Sequence, residues 1–322
     1  AISWADAAKQ VASLAAGRKR DRVRVAKGRR ELSLLKGCAR YGIPIVGANL
    51  LYQIAVLANR SFGAKWFGLA DAGTLSLATD LTIRLLISAG AALDAYLFQI
   101  AVRRRSSEGE AGARRQVADN MLVIGGILAV LAVGYVATLP SLEALFVPAA
   151  YRGSFAALSL ILMPGVYLFC FVQFGVSPIF QLSRSTAPLF WTACLGLGLD
   201  LALLLLARPP AAVSGIATIH MVALVVGALA AILWATRTRD CWPPAREALK
   251  VGLLVLSVAA AMWPFRWLDP SWLSLLGACA AGGFVAAAMP LVLDVMGIRS
   301  LLRRRLPGRC RPDDMKVSPI GE

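Results

Sequence analysis

Most apolar residues of this chain fall in runs near twenty residues long, and that length leaves few choices of fold. At ~1.5 Å of rise per residue, about twenty helical residues cross the ~30 Å hydrocarbon core of a bilayer. Spanning β-strands would instead be segments of about ten residues with alternating polarity. Eight runs suggest helices at Tyr41–Ala58, Ala70–Val102, Met121–Leu139, Phe155–Gly175, Leu189–Ala207, Ala211–Thr236, Ala248–Phe265 and Trp272–Leu293. The expected fold is an all-α polytopic membrane protein of about eight spans. Composition agrees: 58% of the residues are hydrophobic and only 16% charged, against about a quarter charged in soluble domains.

The net charge of +16 would suggest a nucleic-acid partner in a soluble protein. No aromatic–basic platform or groove-reading motif accompanies it, so nucleic acid is not expected. The positions of the cations carry more information. The segments Arg18–Arg40, Arg103–Arg115, the turn at Arg184, Arg237–Lys250 and the tail from Arg299 hold 27 Lys and Arg together. The alternating segments between them hold five: Arg60, Lys65, Arg152, Arg208 and Arg266. Lys and Arg accumulate in loops that stay in the cytoplasm, so both termini are expected there. A miscounted span in the middle would scramble that alternation.

The organisation that follows is a basic cytoplasmic segment over 1–40, a six-span unit over 41–236, two further spans over 237–298 and a cytoplasmic tail over 299–322. The basic segment is suited to anionic membrane lipid. Pro209-Pro210 and Pro243-Pro244 mark breaks. Leu57–Gly73, "LANRSFGAKWFGLADAG", reads as a short outward turn in which Asn59 and Arg60 close the first span.

Ionisable groups at membrane depth are costly and mark function. Asp80 and Arg84 stand i,i+4 in the second span. They suit either an internal ion pair or a cavity in which Arg84 meets an anion such as a phosphate. Asn49 and Gln53, also i,i+4, suit interhelical hydrogen bonds or a cavity lining. Asp200 has no charged neighbour in its own span. It could be protonated, pair across helices or serve as an ion-coupling carboxylate. His220 is the single histidine, suited to a structural hydrogen bond or a proton switch. Gln173 and Gln181 flank a break expected at Pro178.

Six isolated cysteines with no Cys-x-x-Cys pair give no metal or disulfide framework. Outward loops are short and hold few acids, chiefly Asp71, Glu143 and Asp269. No nucleophile–base set or phosphate cradle is visible, so neither an enzyme nor a cofactor is expected.

Several of these residues fall into a pattern. Gly42-Ile43-Pro44 opens the first span; Asn59-Arg60, Gly63, Phe67-Gly68 and the Gly73, Ser76, Ala78 entry follow. Leu145-Phe146 with Tyr151, and Gln181–Thr186, come later. Over roughly 41–236 this resembles the C-terminal half of the lipid-linked oligosaccharide flippases, the O-antigen and exopolysaccharide repeat-unit translocases of the multidrug/oligosaccharidyl-lipid/polysaccharide exporter superfamily. The family pattern has Asp at Asn59, Tyr at Leu75 and Gly at Ser183. Asn59 thus leaves Arg60 without the adjacent carboxylate of the family.

The resemblance implies one six-helix lobe plus two added helices, a first lobe upstream, and translocation by alternating access in a bacterial inner membrane. It implies that Arg84, and Arg60 beside it, face a diphosphate or acidic sugar. Asp80 would position Arg84, and Asn49 and Gln53 would bond sugar hydroxyls. Expected partners are the lipid-linked oligosaccharide, a missing lobe or second copy, and polysaccharide assembly proteins. A cation-coupled multidrug exporter using Asp200 or Asp80, and a non-transporting scaffold, are the alternatives.

Overall fold

The computed structural model describes residues 26–206, 210–237, 241–295 and 298, with side-chain surroundings from Lys36 onward. Most of the basic segment and the tail from Arg299 lie outside the described residues. The protein is an all-α polytopic membrane protein, and seven helical elements are long and apolar enough to cross a bilayer.

The first helix, α1, spans Ala26–Phe67, and α2 spans Leu69–Phe146. At 78 residues, α2 is far longer than one bilayer crossing requires. Gly109 breaks it, with φ 75° and ψ −163°. That backbone suits glycine, which has no Cβ to clash. The two arms, 69–108 and 110–146, fold back side by side. Asn120 donates to the Leu97 carbonyl at 2.9 Å, and Thr82 donates to the Tyr135 hydroxyl at 3.5 Å. Both pairs are centred between Glu108 and Gly109, as an antiparallel hairpin requires. The expected loop between the second and third spans is therefore helix on either side of one bent glycine. Pairs such as Arg114–Glu110 at 3.3 Å support that helix.

After a 3₁₀ turn at Ala149–Tyr151 come α3 (Phe155–Phe171), a π-helical turn at Val172–Val176 and α4 (Ser177–Leu182). The expected break at Pro178 is thus a widened turn rather than an interruption. Proline lacks an N–H for the preceding turn, and the π geometry absorbs the lost bond. Then follow α5 (Ala187–Leu206), α6 (Val213–Ala235), α7 (Ala245–Met262), a 3₁₀ turn at Trp263–Trp267 and α8 (Trp272–Val292). Counting the arms of α2 separately gives eight crossings, the number read from the apolar runs.

One boundary differs in a way that matters. The turn expected around Asn59 and Arg60 is helical, and α1 ends at Gly68, whose φ is 87°. Asn59 therefore lies two turns inside the helix, ~12 Å from its end at Phe67. The polar residues suggested a helix end because polar groups at depth are costly. Here they are held by partners from other helices.

The core is shared by α2, α3, α5 and α6, with Leu86, Leu128, Phe155, Leu162, Leu204 and Ile216 fully buried. Without a strong hydrophobic drive inside lipid, close backbone approach matters more, and small residues permit it. A Cβ on Gly165 of α3 would come within 2.9 Å of the Met221 carbonyl of α6. On the other side, a Cβ on Gly227 of α6 would come within 3.4 Å of the Gly196 Cα of α5. The glycines clamp α6 between its neighbours.

The last pair, α7 and α8, packs together and against the second arm of α2 through Leu254, Val258, Met262 and Ala278. The Ser141 and Ser274 hydroxyls meet at 2.9 Å, and Arg266 donates to the Val136 carbonyl at 2.9 Å.

Candidate membrane-embedded polar site

A cleft of about 350 Å³ opens between α1, the first arm of α2, α3 and α6. Tyr52, Gln53, Arg60, Asp80, Arg84 and Phe169 line it, and His220 borders it from α6. Asp80 and Arg84 lie about 16 and 22 Å along the arm from Leu69, well inside the membrane.

The pairing inside the cleft corrects one expectation. Asp80 does not bond Arg84 one turn away; it forms an ion pair with Arg60 of α1, whose Nη2 donates to Asp80 Oδ1. The cross-helix pair ties α1 to the first arm of α2 and leaves Arg84 as the unpaired cation. Arg84 makes no hydrogen bond or ion pair among the described residues and is exposed to the cleft. The carboxylate missing beside Arg60 in sequence is thus supplied by Asp80, twenty residues on.

The amides separate. Gln53 lines the cleft. Asn49 instead accepts from Gln173 Nε2 at 3.1 Å, tying α1 to the π-helical turn. That turn aims Gln173 toward α1. Gln181 lies further on, donating to Ser177 at 3.0 Å.

Behind Arg60 lies a second cluster, buried but bordering the cleft at His220. Asn59, Asp200 and His220 are 4%, 1% and 3% exposed. Asn59 Nδ2 donates to the Ala55 carbonyl at 2.9 Å and to Asp200 Oδ2 at 2.7 Å. His220 Nδ1 lies 2.9 Å from the same Asp200 oxygen and 3.1 Å from Asn59 Nδ2. Asp200 therefore pairs across helices, with partners from α1 and α6.

Four atoms here are buried without a partner among the described residues: Asn59 Oδ1, Asp200 Oδ1, His220 Nε2 and Arg60 Nε. A small cavity of about 10 Å³ touches Asn59, Arg60, Thr79 and His220; that is near the space one water fills.

The sequence reading named Asp200 and His220 separately but missed that they meet, and it placed Asn59 at a helix end. A signal was available. Asp200 and His220 are equidistant from Pro210, in the turn between α5 and α6. Residues equidistant from a helical turn sit at one height in the hairpin.

No family model, curated protein or solved structure matches this chain. The functional reading rests on the residues themselves.

Proposed function

We propose that this chain forms one side of a translocation path that moves a polyprenyl-diphosphate-linked oligosaccharide across a bacterial inner membrane, with both termini cytoplasmic. The observation that carries the reading is Arg84. It is a guanidinium at membrane depth, exposed in a cleft of about 350 Å³, with no protein carboxylate of its own. A permanent cation held there is matched by an anionic cargo group, and Arg meets phosphate oxygens with paired charge-assisted hydrogen bonds. Arg60 is already neutralised by Asp80, so Arg84 is the principal anion contact and Arg60 the secondary one. Gln53 offers an amide to hydroxyls, while Tyr52 and Phe169, 4.4 Å apart between ring centroids, offer aromatic surface.

Large apolar side chains of α1, including Ile43, Val46, Leu50 and Leu57, are each at least 59% exposed along one side of the helix. That surface fits a second lobe or second copy of the chain, which would close the cleft. Neighbouring polysaccharide assembly proteins are the wider setting.

The test is binding of a short polyprenyl diphosphate, farnesyl diphosphate, to the purified protein. Arg84→Ala should weaken binding about 10- to 100-fold, the worth of one or two hydrogen bonds to a charged group. Farnesol, lacking the diphosphate, should bind alike to both. In cells, Arg84→Ala should abolish surface polysaccharide while the protein still inserts. Unchanged binding and unchanged polysaccharide would remove Arg84 from the path. The orientation is checked by labelling: a cysteine at Ser154 should react with an impermeant maleimide from outside, and one at Ser107 should not.

A further inference from the structure

Phe169 of α3 faces the cleft; on another side of the same helix three helices come near one another and leave a gap. The second arm of α2 brings Ala132 and Val136 to it, α3 brings Met163 and Pro164, and α7 brings Ala259, with Trp263 just beyond. Along its length α7 packs on α2 but scarcely on α3, and the space between them is a groove of about 360 Å³. Its walls are apolar, and the Tyr167 hydroxyl at one end is committed to the Gly125 carbonyl at 3.3 Å. Water needs two or more polar partners to settle in such a place, so the groove suits a hydrocarbon chain.

The rim of the groove is charged. Arg266, in the 3₁₀ turn after α7, donates from Nη1 to the Val136 carbonyl at 2.9 Å and lies over the Trp263 ring, 5.4 Å from its centroid. Val136 and Trp263 are both groove walls, so the guanidinium is fixed at the edge. It makes no ion pair among the described residues, and Asp269, three residues on, is exposed. Beside it stand Trp267, 80% exposed, and Trp272, 57% exposed. Exposed indoles settle at the headgroup level of a bilayer, so Arg266 stands where lipid phosphates lie, with hydrocarbon space next to it. A second apolar groove, of about 310 Å³, runs between α2, α7 and α8. There the neighbouring cation, Lys250, is already held by Glu247 at 2.7 Å. Of the two grooves, the first has the cation free for an anion.

We propose that the groove between the second arm of α2, α3 and α7 holds one chain of an anionic glycerophospholipid, whose phosphodiester meets the Arg266 guanidinium. Arg presents paired N–H donors that match phosphate oxygens, and a headgroup of net negative charge complements a cation without a carboxylate partner. Bound there, the lipid fills the gap between α7 and α3 and ties the last helix pair to the six-span unit. The site stands apart from the cleft and does not depend on which cargo the cleft takes.

The experiment titrates the whole purified protein in detergent with phosphatidylglycerol and counts bound lipids by native mass spectrometry. One phosphatidylglycerol should stay bound at concentrations where phosphatidylcholine, whose phosphate is balanced by its own ammonium group, dissociates. Arg266→Gln, which keeps a donor for the Val136 carbonyl but no charge, should weaken that lipid about 10-fold. Ala259→Phe, which fills the groove and leaves Arg266 in place, should weaken it by a similar factor. Glycerol 3-phosphate, a phosphate without chains, should not displace the lipid; displacement would mean a plain anion site and overturn the proposal. Unchanged protein that binds the two lipids alike would overturn it without recourse to any variant. So would an affinity indifferent to both substitutions in folded protein. Arg266→Gln should leave farnesyl diphosphate binding as it was; an equal loss there would assign the groove to the cargo instead.

Discussion

Asn59 and Arg60 are neighbours in sequence and belong to different chemical worlds. Arg60 is half exposed and reaches into an open cleft, where it meets one carboxylate. Asn59 is 4% exposed and turned into a buried core, where it meets another carboxylate and an imidazole. One turn of α1 thus serves two polar centres that differ in access. The open centre can exchange its partner for a ligand because solvent or cargo can replace the lost bonds. The buried one has only the partners packed around it.

That contrast can be broken most severely at Asp200. Asp200→Leu removes the only carboxylate of the buried centre and strands the Asn59 N–H and the imidazole. Removing one member of a buried pair costs about 3–5 kcal/mol, so thermal unfolding in detergent should show a large loss of stability. Asn59→Asp comes next. It would set a second carboxylate beside Asp200, where the amide now donates at 2.7 Å. A loss of about 1–3 kcal/mol is expected in the same thermal-unfolding assay.

The open centre should respond less. Asp80→Asn leaves Arg60 an amide partner and a cleft for its charge, so stability should fall by well under the Asp200→Leu effect in the same assay. A drop as large would mean that the cleft is as buried as the core. Smallest of all is Ser141→Ala, which removes one hydroxyl contact to α8. Ser274 keeps its bonds to Ser271, so about 1 kcal/mol or less is expected.

Much of the architecture was legible in the sequence because the bilayer enforces length: apolar runs near twenty residues became helices, and the count of eight crossings stands. The limits of α1 and α2 were less legible. Asn59 and Arg60 suggested a helix end because polarity at depth is costly in isolation, and the offsetting partners stand 20 to 161 residues away. Asp80 and Arg84 suggested an internal pair or a cavity lining, because i,i+4 spacing is the nearest relation a linear text shows. A helix from elsewhere in the chain offered Asp80 the better partner. Asp200 left three readings open, and geometry selected the cross-helix pair. For Gln53 and Asn49 the sequence offered packing or lining, and the fold used one residue for each.

The bend at Gly109 has a consequence for how the chain enters its membrane. On insertion scales a charge at a helix centre is disfavoured by about 2.5–3.5 kcal/mol, and the arm 69–108 brings Asp80 and Arg84 together. The returning arm has no charged residue between Met121 and Leu139. Joined by one tight turn, the two arms can leave the insertion machinery as a pair, the apolar arm carrying the charged one into lipid. Arg60 of α1 is synthesised before either arm and waits for Asp80. The order of synthesis thus delivers a cation first, its carboxylate second and the apolar arm last, so the Arg60–Asp80 bridge can close only once the first arm of α2 has followed α1.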